Sequence, residues 1–555
     1  MGADGDRALR LGGRGAPPPL TVRALCALAL GLLALSGCVR REAPAAAAVR
    51  SQTLLLGNGA EPGDLDPQVV TAYTDQNILL ALFEGLTAID EGSSQPVPAA
   101  ALSWEVSGDG LVWTFHLRDG LRWSNGERLA AGDFIQSWRR MLLPELAAEN
   151  AYLLYPIRNA EAYSRGRVRD PSSLGIAAPD PRTVRIELER PTPYLPVLAA
   201  LPPWYPVNPR VLDRFGALAA RGTRWTRPGN LVGNGPFTLA EWLPNARIAV
   251  ERNPYYWNAG AVTLRRIVFF PTESPDTEER DFRAGQLHVT YSIPVAKLAP
   301  YRRDSPDLLR VDPFLQTFFL RFNVARPPFG DPRVRLALSL AIDRDTIARS
   351  VLASGYPPAH SFTPPDCGGY SARARVGLDV ERARRLLAEA GHPGGRGIPP
   401  IEVQVRNDEV QPPVMEAIQA MWDRELGIHV TLATLEQKTW LQNQQTLDYS
   451  ASTAGWAGDF LDPVTFLDLF VTGGGNNWTG WGDPAFDRLI ADAARESLPR
   501  ARLELFQRAE SILLEQAPVA PLYFGAHAYL IQPCVKGWTP ALLGYHRYAN
   551  VRLAQ

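Results

Sequence analysis

The residues that could do chemistry are few and scattered. Asp64/Asp66 and Asp459/Asp462 are acidic pairs, and two carboxylates can hydrolyse a glycosidic bond when they face each other across ~5–9 Å. Closeness in sequence does not set that gap, and Asp66 before Pro67 reads as a turn acid. The histidines (His116, His288, His360, His392, His429, His527 and His546) form no HxxxH, HExxH or Cys/His cluster, so no metal site is expected. There is no GxSxG elbow and no P-loop, and Gly57-Asn58-Gly59 lacks the spacing of a dinucleotide fingerprint. No cofactor is therefore expected. Basic and acidic residues balance, 57 against 58, and are interspersed, which leaves no footprint for nucleic acid. Nothing in this inventory makes an enzyme.

A chain of 555 residues, 46% hydrophobic and 21% charged, is globular and too long for one ordinary core. Its N-terminus speaks to compartment. Arg7, Arg10, Arg14 and Arg23 precede an apolar run from Ala24 to Leu35, followed by Leu35-Ser36-Gly37-Cys38. That run falls short of the ~20 residues a membrane span requires, and the arrangement is that of an export signal over residues 1–37. Its end resembles the lipobox of bacterial lipoproteins, which implies cleavage before Cys38, lipid on its sulfur and a bacterial cell-envelope location on the periplasmic side. Residues 38–50 then form a Pro/Ala tether without a core pattern. Past Cys38 only Cys367 and Cys534 remain in the exported body; in an oxidising space they either pair or stay as two buried thiols.

The elements that must position any site alternate between strand and helix patterns, which predicts mixed α/β lobes. Trp113, Phe115 and Leu117 alternate with polar neighbours and share one sheet face. Asp119-Gly120 and Asn125-Gly126 are turns. Asp133 begins a helix with Phe134, Trp138 and Met141 on one stripe. Further helices are expected over Pro332–Arg349, Val380–Ala390, Pro413–Leu426 and Pro499–Gln516, with Gly391 and Gly427 as stops.

The block Trp113-x-Phe115-x-Leu117-Arg118-x-Gly120-x-x-Trp123-x-Asn125-Gly126, running on to Asp133-Phe134 and Trp138, resembles the signature of family 5 of the extracellular solute-binding proteins, the oligopeptide and dipeptide class. Leu65-Asp66-Pro67 and Leu82-Phe83-Glu84-Gly85-Leu86 precede it in the same order. Gly233-Asn234-Gly235-Pro236-Phe237, Glu251 through Trp257, Asn323 through Arg344, Ala454 through Phe460 and Pro521-Leu522-Tyr523 follow. The resemblance implies a two-lobed, three-domain clamp of mixed sheets with flanking helices. By analogy, lobe I is 51–83, 208–315 and 526–555, an extra domain is 84–207 and lobe II is 316–525. The hinge would lie near Leu315–Phe319 and Tyr523–Ala528.

The resemblance also implies a ligand and a site. The chain would be a lipid-anchored monomer that captures peptides for the permease subunits of an inner-membrane ABC importer, touching the membrane only through its lipid. Backbone contacts fall to Gly455 and Ala457 on one lobe and Thr71 and Tyr73 on the other. Asp459 would meet the peptide's α-ammonium. Trp456 would either wall a side-chain pocket or be a core indole beside it, and Asp459 is also good turn chemistry. The family's basic groups for the peptide carboxylate are replaced here by Leu352, Gln411, Gln444 and Thr453, and its cysteine pair by Gln316 and Ala457. The alternative is the same scaffold around a nickel complex, an oligosaccharide or a cell-wall peptide.

Overall fold

The computed structural model describes residues 42–352 and 355–554; the export signal and Cys38 lie outside them. Strands are numbered in chain order. One four-stranded sheet has the order β1 (Thr53–Gly57), β10 (Arg266–Phe270), β9 (Arg247–Arg252), β8 (Phe237–Leu243). β1 runs parallel to β10 and the other pairs are antiparallel. A second, wholly antiparallel sheet has the order β4 (Ala101–Val106), β5 (Val112–Leu117), β7 (Thr183–Glu187), β6 (Ile176–Asp180). Two small ribbons, β2 (Thr87–Ile89) with β3 (Pro96–Pro98) and β16 (Val535–Lys536) with β17 (Arg552–Leu553), edge these layers.

The third sheet has five strands: β13 (Val430–Leu435), β12 (Ile401–Arg406), β14 (Ala451–Ala457), β11 (Leu309–Phe322) and β15 (Val519–Leu530). β11 and β15 are long and antiparallel, and their register breaks between Phe314 and Thr317. There the Leu315 N–H donates to Leu542 O, and its carbonyl accepts from Gly458 N. The ladder therefore slackens where its partners change. On one side of the break β15 reaches toward the first sheet, with Thr290 N donating to Leu530 O. On the other side β11 pairs with β14.

Most expected elements form for the expected reasons. Trp113, Phe115 and Leu117 are buried while His116 is exposed. The helix expected from Asp133 begins earlier, at Ala131, because Asp133 Oδ2 reaches back to the Ala130 N–H at 2.9 Å. Phe134, Trp138 and Met141 are fully buried on it. Gly427 ends Gln411–Leu426 with φ of 65°, a left-handed stop that glycine adopts freely. The helix expected over Pro332–Arg349 is interrupted: it stops at Leu340, and a short turn, Arg344–Thr346, follows. Asp343 caps that turn by accepting from Thr346 N at 2.9 Å, so the acid that begins a new turn also breaks the old one.

One expectation is corrected and one open alternative is decided. The tether expected over 38–50 is a helix from Pro44 to Ser51. Ala45 and Ala48 are buried against Leu55, Ala249 and Val268. His288 fastens this helix, its Nδ1 accepting from Leu55 N at 3.0 Å while Nε2 donates to Ala45 O at 2.9 Å. Small alanines give no apolar stripe, yet they allow a helix to lie close on a sheet. The possible bridge between Cys367 and Cys534 does not form: both thiols are free, Cys367 deep in one core and Cys534 half-buried beside another.

Candidate functional site: an open strand edge beside a carboxylate

β14 is an inner strand for only part of its length. β12 pairs with it only at Ala451 and Ser452, whereas β11 follows it to Ala457. Ser450 O accepts from Asn323 N, and Gly458 N donates to Leu315 O, so even-numbered positions turn their backbone polar groups toward β11. Strand groups alternate sides. Thr453, Gly455 and Ala457 therefore face away, toward the side that β12 has left. Thr453 O is taken by Trp440 Nε1 at 3.1 Å. Gly455 and Ala457 are exposed, and no strand among the described residues pairs with their outer edge.

Just beyond this edge lies a cavity of about 500 Å³. Tyr152, Arg190 and Tyr194 line one side; Trp456, Asp459, Phe460 and Asp468 line the other. Tyr194 and Phe460 stack at 5.0 Å with rings 8° from parallel. Asp459 is open to the cleft water, but the surrounding protein pushes its carboxyl above the usual range. The nearby Tyr152 hydroxyl pulls the other way. The Asp459 N–H donates to Thr465 Oγ1 at 3.2 Å, which sets the turn. Trp456 Nε1 has no hydrogen-bond partner; its half-buried ring packs against the core and also lines the cavity.

Asp462, the other half of the second acidic pair, is not available for catalysis. Both its oxygens accept from Arg502, at 2.6 and 2.8 Å. Asp66 is held likewise by Arg140, at 3.1 and 2.6 Å, deep in the protein.

The chain matches the sequence model of the bacterial extracellular solute-binding proteins, family 5, over residues 95–478. It belongs to that family. This family-5 chain is 34% identical to the periplasmic oligopeptide-binding protein OppA of Salmonella typhimurium, covering 92% of this chain and 94% of the relative. It is also 34% identical to a probable deoxycholate-binding periplasmic protein, YgiS, of Escherichia coli, over 88% and 90% of the two chains. Among solved structures it resembles the unliganded open form of the murein tripeptide-binding protein MppA with a TM-score of 0.84, at 31% identity over 91% and 97% of the two chains. A second structure of Escherichia coli MppA gives 0.70 at the same identity and share of this chain. The fold is accordingly the two-lobed clamp of periplasmic peptide-binding proteins.

Of the family positions expected to touch ligand, Trp456 and Asp459 line the cavity. Gly455 and Ala457 lie on the adjoining strand edge, and Thr71 and Tyr73 also stand outside the lining. Thr71 is exposed before the helix Tyr73–Leu82. The Tyr73 ring lies 5.2 Å from Tyr545 and 5.7 Å from Phe314, and its buried hydroxyl has no partner. The Tyr545 hydroxyl donates to Gln76 Oε1, and its pKa is raised by burial first, then by Asp459 and Tyr152. Sequence reasoning missed Tyr152 and Tyr545, which no motif marks.

Where this family-5 chain lacks bases, the structure is filled in. Gln444 Oε1 accepts from Arg321 Nη1 at 2.5 Å, and Thr453 Oγ1 accepts from Arg406 N at 3.3 Å. Leu352 and Gln411 are buried. Arg406 itself grips Asp408 at 2.6 Å. Gln316 and Ala457, standing where some relatives have a cysteine pair, are register partners across β11 and β14.

Proposed function

We propose that this chain captures peptides between its lobes and hands them unaltered to the permease of an inner-membrane ABC importer. The observation that carries the reading is the unpaired outer edge of β14, which runs into Asp459. An extended peptide can add there as a strand, with Gly455 and Ala457 giving main-chain hydrogen bonds that ignore side-chain identity. Asp459 then receives the α-ammonium, and the first side chain enters the cavity against Trp456. Thr71 and Tyr73 belong to the opposite jaw, lobe I (51–83, 208–315, 526–555), carrying the extra domain 84–207; lobe II is 316–525. The register break at Phe314/Thr317 is the hinge. The higher TM-score to an unliganded open form supports a ligand-free jaw that closes.

Cys38 carries the anchor in this reading; the body works as a monomer and adds no span of its own. No helix among the described residues is long and apolar enough to cross a membrane. Cys38→Ser should leave the protein unprocessed or in the soluble fraction; a processed variant that still resists detergent-free washing contradicts the anchor.

The experiment for the capture reading is small-angle scattering with a free-amine tripeptide at about a hundredfold excess over Kd. The radius of gyration should fall, and linkage should add ~2.7 kcal/mol of stability. An unchanged radius with bound peptide contradicts the closing jaw. One observation favours a second reading. With no base at Leu352, Gln411, Gln444 or Thr453, the scaffold suits a ligand without a conventional C-terminal carboxylate there, such as a cell-wall peptide; mass spectrometry of co-purifying ligand separates the two.

A further inference from the structure

We propose that Asp468 selects a cationic side chain, lysine or arginine, on the first residue of the bound peptide. The inference rests on the capture reading above and concerns the far wall of the same cavity. Asp468 lies one short helix, Val464–Leu467, beyond the Asp459 turn. It is exposed to the cavity, and its carboxylate makes no hydrogen bond or ion pair with the described residues.

The other charges lining the cavity are mostly spoken for. Glu161 pairs with Arg165 at 3.0 Å and Arg167 at 3.8 Å. Glu189 Oε1 accepts from Asn159 N at 2.6 Å. Arg190 is the one basic residue in the lining, and although its field reaches Asp468, it forms no ion pair there. Asp459 and Asp468 are thus two unpaired carboxylates in one cavity. An α-ammonium on Asp459 neutralises only the first. A second cation is what this wall lacks. The walls suit the rest of such a side chain. The Trp456 ring and the stacked Tyr194–Phe460 pair present flat apolar faces to an alkyl stem or a guanidinium.

Calorimetric titration of Lys-Ala-Ala and norleucine-Ala-Ala, both with free amines, isolates the second charge because the two peptides differ only at the ε-ammonium. The wild type should prefer the lysine peptide by about tenfold or more. Asp468→Asn should bring the two affinities together by weakening the lysine peptide about tenfold. Equal wild-type affinity for both peptides overturns the role of Asp468 and leaves peptide capture standing. Equal weakening of both peptides in the variant also overturns it, because that pattern belongs to a damaged loop. Failure of the wild type to bind either peptide overturns this inference and the capture reading together.

Discussion

Tyr152, on the 3₁₀ segment Glu149–Leu154, and Asp459, on the turn after β14, line the same cavity close enough to shift each other's ionisation. Burial and the neighbouring carboxylate push the tyrosine's own pKa upward, so it remains a neutral donor. Its dipole favours the ionised form of Asp459 against the desolvation that disfavours it.

A pH prediction follows from that opposition. An ammonium needs the carboxylate charged, so affinity should fall as pH drops through the raised Asp459 pKa. Tyr152→Phe removes the lowering contribution and raises that pKa further. The variant should match the wild type near neutral pH, where the α-ammonium is still charged, and lose free-amine peptide affinity at a higher pH during acidification. Calorimetric titrations across the acid range check this; superimposable profiles contradict the role of Tyr152.

The backbone direction at Ala457 gives a test of strand addition. Its N–H faces away from β11, and proline is tolerated on an edge whose N–H is outward. Ala457→Pro should therefore keep the thermal transition close to wild type while weakening peptide binding about tenfold or more. Unimpaired binding in a folded variant would mean that the peptide does not pair with β14.

Glu278 makes a stability prediction apart from the ligand. It is buried at 1% exposure, its Oε1 has no hydrogen-bonding partner, and desolvation pushes its pKa from 4.5 to about 7 despite the Tyr291 and Ser292 N–H groups. Between those values the folded protein keeps a proton that the unfolded chain releases, so stability falls as pH rises. At 1.36 kcal/mol per unit the loss is about 3 kcal/mol across the window. Glu278→Gln should flatten the dependence of melting temperature on pH from 4 to 8. Parallel curves for the two proteins contradict the assignment.

What could be read in the sequence was local or motif-borne. Trp113, Phe115 and Leu117 announce a half-buried strand because period-two alternation is a property of a few adjacent residues. Gly427 announces a helix end for the same reason. The Gly455–Asp459 stretch is marked by the family resemblance, which falls on one short segment; its open edge is visible only in the folded sheet. Tyr152 and Tyr545 are not legible: they influence Asp459 from positions far away in the chain, and a lone tyrosine carries no pattern. The helix Pro44–Ser51 was hidden because alanines that pack by being small resemble a linker. The partners of Asp66 and Asp462 were hidden too. Each is an arginine whose contact exists only in the folded chain, and each turns a candidate catalytic acid into a buried ion pair.

The central claim is that Asp459 pairs with the α-ammonium of a peptide, and the most direct measurement compares one tripeptide with its N-acetylated form on wild type and Asp459→Asn. Leaving a buried cation without its partner typically costs ~3–5 kcal/mol. At 1.4 kcal/mol per tenfold, the variant should bind the free amine about two to three and a half decades more weakly. The acetylated peptide has no ammonium to lose; it should bind the wild type poorly and respond little to the substitution, whereas a fold defect would harm both ligands alike. Equal wild-type affinity for the free and acetylated peptides would contradict the account.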